Sequence, residues 1–111
     1  MDLPRATQLP LLDASEPLRK RAPVVDEQGR PLSDFMVLIP GLRCKSPWRI
    51  QRTMKDIHRI LSGFGDTVVF AEVNLRLNLL WVSIRPVSGI RFEITEALRL
   101  SIPDVRLVSH L

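Results

Sequence analysis

Thr67-Val68-Val69-Phe70-Ala71-Glu72-Val73-Asn74-Leu75-Arg76-Leu77-Asn78-Leu79-Leu80-Trp81-Val82-Ser83-Ile84-Arg85 is the stretch that decides the fold. It is rich in β-branched and aromatic residues and is broken near its middle by two asparagines, which predicts two strands, Thr67 to Leu75 and Leu77 to Arg85, joined as a hairpin. Alternation places Val69, Ala71, Val73 and Leu75 on one face, with Val68, Phe70, Glu72 and Asn74 on the other. In the partner strand, Leu80, Val82 and Ile84 oppose Leu79, Trp81 and Ser83.

Upstream, Ser46-Pro47 opens a helix, with Ser as N-cap and Pro at the first helical position. Ile50, Met54, Ile57 and Leu61 recur at spacings of four, three and four and form one apolar stripe. Gly63 and Gly65 stop this helix. Phe35 to Ile39 is apolar throughout and predicts a first strand, central or covered on both faces. Downstream, Ser88 is the expected N-cap of a second helix, with Val87 and Phe92 at its staple positions. Ile90, Ile94, Ala97 and Leu98 form its buried stripe. Pro103 ends it, and Val105 to Val108 alternate as a last strand.

The order strand, helix, strand, strand, helix, strand is the βαββαβ unit of a ferredoxin-like α+β sandwich, with two helices on one face of a four-stranded antiparallel sheet. Three regions follow. Residues 1–23 contain Pro4, Pro10, Pro17 and Pro23, too frequent for a useful helix, and are expected to be a flexible tail. Residues 24–34 form an extended linker or a small hairpin around Gly29, and residues 35–111 form the domain.

The 111 residues suit one domain. One cysteine makes no internal bridge, no signal peptide is legible, and no apolar run approaches the roughly 20 residues that span a bilayer. The expectation is a soluble cytoplasmic protein without a membrane role. Residues 1–34 hold five basic and six acidic groups, whereas residues 35–111 hold eleven basic and six acidic. The domain therefore carries the positive charge, which suits an anionic partner.

Three constellations are candidate sites. The first is the loop Arg43, Cys44, Lys45, where a thiol flanked by two cations precedes a helix N-terminus, a setting that favours thiolate. The second is basic: Arg43, Lys45, Arg49, Arg52, Lys55 and Arg59 fall close together with Asp56 the only acid among them. Arg49, Arg52 and Arg59 lie away from the apolar stripe and form an anion or nucleic-acid candidate. The third is the sheet face opposite the helix-facing stripe, where Val68, Phe70, Leu79 and Trp81 share a parity. Phe70, Leu79 and Trp81 are the interface candidate for a protein partner or a homodimer. Folding back of the N-terminal arm onto this face, or a register shifted by one residue, are the alternatives. The chain has no glycine-rich phosphate loop, nucleophile elbow or histidine pair, so the expectation is a non-enzymatic protein without a cofactor.

Leu38-Ile39-Pro40-Gly41-Leu42-Arg43-Cys44 resembles the metal loop of heavy-metal-associated domains of the copper-chaperone type. In that family a glycine, a hydrophobic residue and one further residue precede Cys-x-x-Cys. Ala71 to Leu75 resembles that family's second strand, and Glu96-Ala97-Leu98 through Val105 to Val108 its last helix and strand. The family's second cysteine falls at Pro47. The resemblance implies the scaffold of that family with an incomplete metal site, used for another interaction. A ligand-binding or regulatory role of the Cys44 loop, toward an anion or a weakly held metal, is the alternative. Nucleic-acid binding through the first helix is the third reading.

Overall fold

The computed structural model describes residues 25–108, and the Pro-rich tail expected at residues 1–23 lies outside them. The elements are β1 (Ser33–Leu38), α1 (Pro47–Ser62), β2 (Val68–Asn74), β3 (Leu79–Ile84), α2 (Ile90–Ser101) and β4 (Arg106–Val108). The described residues are α+β, with two α-helices and a four-stranded antiparallel sheet of order β2-β3-β1-β4. β3 pairs with β1 from Ser33↔Ile84 to Leu38↔Leu79, and with β2 from Val68↔Ile84 to Asn74↔Leu79. The short β4 pairs with the second half of β1.

One core results. Phe35 and Val37 of β1, Ala71 and Val73 of β2, and Leu80, Val82 and Ile84 of β3 are buried with Met54, Ile57 and Leu61 of α1 and Ile94 and Leu98 of α2. The apolar stripes expected of the two helices are the surfaces that meet this sheet face. Burying each large aliphatic side chain contributes roughly 1.5–3 kcal/mol.

Three local expectations are corrected. Val68 does not share the face of Phe70: the β2–β3 register shifts between Val68 and Phe70, so Val68 pairs with Ile84 and is buried in the core. A bulge inserts one extra residue, Val69, and so reverses the parity of what precedes it. Second, Gly89 rather than Ser88 is the N-cap of α2, with a positive φ of 78° that glycine adopts without strain. Third, with Gly89 as the N-cap the staple positions no longer fall on Val87 and Phe92, and both are exposed.

The segment before β1 is a small hairpin, with a bridge between Val25 and Pro31. The Asp26 carboxylate organises it by accepting from the backbone N–H groups of Gln28 and Arg30, both at 2.9 Å, and from Arg30 Nε at 3.0 Å. Burial pushes the Asp26 carboxyl up, but these hydrogen bonds and the Arg30 guanidinium together hold it below its usual value. Arg85, just beyond β3, reaches back to Glu27 at 3.2 Å and to Asp26 at 3.8 Å, tying the hairpin to the sheet.

The face assignment has a direct test. Leu80→Ala, which removes a fully buried side chain, is expected to cost about 2–5 kcal/mol in urea unfolding. Leu100→Ala, at a residue 89% exposed on α2, is expected to change stability by less than about 0.5 kcal/mol.

Candidate functional site

The sheet has a second face, and among the described residues no helix packs on it. The register builds it row by row. Val108, Met36, Trp81 and Glu72 are in line; Arg106, Leu38, Leu79 and Asn74 form the next row; Asp34, Ser83 and Phe70 form the third. The structure thus brings Phe70, Leu79 and Trp81 together across β2 and β3, and adds Met36 and Leu38 from β1. All five are half-buried. The alternation in Met36-Val37-Leu38 that sends Val37 inward sends its two neighbours to this face.

Polar groups sit inside this apolar field. Glu72 is only 3% exposed and Ser83 only 1%. The Trp81 indole nitrogen and the Ser83 hydroxyl are both buried and have no hydrogen-bond partner among the described residues. Such orphaned groups cost about 1–3 kcal/mol each, which is why they are few in folded proteins.

The Cys44 loop lies at one end of the sheet. Pro40-Gly41 ends β1, and Leu42 to Cys44 make a single 3-10 turn, with Gly41 at φ 74°. Leu42 is fully buried and pins the turn to the core, while Cys44 is an exposed free thiol. The loop is latched to the β2–β3 hairpin. Asn78 Oδ1 accepts from the Arg43 backbone N–H at 2.8 Å, Arg43 Nη1 donates to the Arg76 carbonyl at 3.1 Å, and the Asn78 carbonyl accepts from the Ile39 N–H at 2.7 Å. Asn78 has φ 56°, a left-handed conformation that asparagine tolerates better than other side-chain-bearing residues. Arg43 and Cys44 therefore sit on the surface of a loop whose backbone is fixed, and Lys45 closes the turn through its N–H to the Leu42 carbonyl.

This loop does not fit the soft metal that its resemblance implies. A soft-metal site needs two or more sulfur or imidazole ligands, and Pro47 stands at the position of the second cysteine. Among the described residues no group of three or more His, Cys, Asp or Glu side chains is placed to hold a metal ion.

The basic candidates lie on α1, with Arg49, Arg52 and Arg59 all exposed. Arg59 is engaged with Asp56 at 3.5 Å and Ser101 Oγ at 3.1 Å. Arg49, Arg52 and Lys55 make no side-chain hydrogen bond or ion pair among the described residues. Trp48, 64% exposed, stands on the same side of the helix, and the reading of the sequence passed over it. The signal was present: Trp48, Arg52, Lys55 and Arg59 are spaced four, three and four, the same period as the buried stripe but rotated to the opposite side. Also unforeseen is a cleft of about 410 Å³ at the start of α2, walled by Ile84, Val87, Ile90 and Phe92, where Arg91 donates to Ser33 Oγ at 2.8 Å.

Among the described residues no helix is long and apolar enough to cross a membrane. No protein-family model matches the chain, and no curated protein or solved structure matches it.

Two outcomes are expected from this geometry. Asn78→Ala is expected to lose about 1–3 kcal/mol of stability in chemical denaturation, through the lost Oδ1 hydrogen bond and the positive φ, and Asn78→Gly to recover the backbone share. In chelator competition, Cu(I) and Zn(II) are expected to bind no more tightly than to any exposed thiol. A stoichiometric high-affinity site abolished by Cys44→Ser would overturn the incomplete-site reading.

Proposed function

We propose that the chain is a non-enzymatic interaction domain on a ferredoxin-like scaffold, and that it binds a protein segment, its own second copy included, on the sheet face away from the helices. The strand order β2-β3-β1-β4, with every neighbouring pair antiparallel, supports the scaffold. The likeness to heavy-metal-associated domains is, in this reading, one of framework, with the metal chemistry lost at Pro47.

The observation that carries the interaction reading is the apolar field of Met36, Leu38, Phe70, Leu79 and Trp81, all half-buried on a sheet face where no helix packs among the described residues. The apolar side chains of a protein segment cover these rows. Trp81 is the natural anchor, because large aromatic side chains with one polar edge dominate interface energies.

The test uses one position and two readouts. Trp81→Ala is expected to weaken association by roughly 2 kcal/mol or more while stability changes little. Association is measured by sedimentation of the full chain, and by comparing the proteins captured by wild type and variant. Trp81→Phe, which keeps an aromatic ring, is expected to retain most of the association. A folding loss of about 3–5 kcal/mol with unchanged association would make Trp81 a core residue and remove this proposal.

A further inference from the structure

The outer surface of α1 goes beyond that reading, because it is a separate surface with different chemistry. Trp48, Arg52, Lys55 and Arg59 run along the helix at spacings of four, three and four, directly opposite Met54, Ile57 and Leu61. Arg49 flanks them. An ordinary solvated helix face mixes charges so that neighbours at i+3 and i+4 attract. Here Arg49–Arg52, Arg52–Lys55 and Lys55–Arg59 are all like-charge neighbours at those spacings, and Asp56 is the helix's only acid.

The placement also opposes the helix's own field. The first turn of α1 contains no acid, and Arg49 lies within it, against the positive end of the helix dipole. Ser46 makes no side-chain cap hydrogen bond that would offset this. The local sequence thus accepts several small electrostatic costs to hold Arg49, Arg52 and Lys55, which make no ion pair among the described residues, around an indole that is 64% exposed. Solvation explains lysines and arginines on a surface, but it does not explain a bare tryptophan among them.

We infer that this stripe binds single-stranded nucleic acid, with Trp48 stacking on a base and Arg49, Arg52 and Lys55 neutralising backbone phosphates. Charge complementarity selects a polyanion. The tryptophan selects an unpaired strand, because a base presents its flat face to an indole only when it is not stacked inside a duplex. Arg59, already held by Asp56 and Ser101, is a lesser contributor. An acidic protein would use the cations but gives the indole no planar partner.

The experiment titrates the full chain into fluorescently labelled single-stranded DNA and RNA of mixed sequence, into duplex DNA and into polyglutamate, over a range of salt concentrations. Binding of a single strand is expected, with the tighter of the DNA and RNA arms naming the source. Trp48→Ala is expected to weaken it roughly 5- to 150-fold with the salt slope unchanged, and Trp48→Phe to retain part of the lost affinity. The double variant Arg52→Ala/Lys55→Ala is expected to make the slope of log K against log salt shallower by about 1.4, at about 0.7 per phosphate contact. All these side chains are exposed, so the variants are expected to keep the wild-type circular dichroism. The proposal fails if no single strand binds at about 50 mM salt. It fails too if Trp48→Ala is neutral, or if Arg106→Ala on β4 weakens binding as much as Arg52→Ala. Polyglutamate binding as tightly as the oligonucleotides would reassign the stripe to an acidic protein.

Discussion

Everything in this domain is registered on β3. It lies between β1 and β2 and hydrogen-bonds to both, and its alternation sorts the molecule into two sides. Leu80, Val82 and Ile84 go to the helices and are at most 1% exposed. Leu79, Trp81 and Ser83 go the other way. Because the side-chain period of a strand is two, one slipped residue would exchange these sets and expose the core. The register is therefore set by the burial it produces, and the positions of Phe35, Val37, Ala71 and Val73 follow from it through pairing.

The bulge in β2 is the exception that this constraint permits. β2 is an edge strand, so an extra residue there disturbs one ladder rather than two. Its effect is to bury Val68 against the end of β3 while Phe70, Glu72 and Asn74 keep to the face away from the helices. Bulged edges also resist unplanned strand pairing. The apolar field of the face away from the helices is thus combined with an edge that discourages a sheet from simply extending, and the interaction proposed for this chain is across the face, not along the edge.

α1 shows the same economy in a helix. One side is specified by packing, and Met54, Ile57 and Leu61 hold it on the sheet firmly enough to carry an outer side that is electrostatically unfavourable by itself. Local preference and global fold agree on the inner stripe and conflict on the outer one. Conflicts of that kind in a folded protein gather where a surface serves something other than stability. The Cys44 turn has no such conflict. Its glycine, its buried Leu42 and its latch to Asn78 account for its shape without reference to the thiol.

The sequence by itself determined the element order, the inner stripes of both helices, the Ser46-Pro47 start of α1 and the inward set on β3. All of these rest on short-range periodicity, which a single segment carries in full. It also placed Phe70, Leu79 and Trp81 on one parity, because alternation within each strand is a local property. Only the tertiary structure decided what depends on how segments meet. The Val68 reversal is a mismatch between two strands, invisible in either alone. Gly89 takes the cap of α2 from Ser88 because the backbone needs a positive φ there, which composition does not announce. Met36 and Leu38 join Trp81 and Leu79 on the second face only once β1 is paired between β3 and β4. The exposure of Trp48 among cations that make no ion pair among the described residues, finally, is a fact of what surrounds α1, since spacing puts residues on a side but only packing decides whether that side is covered.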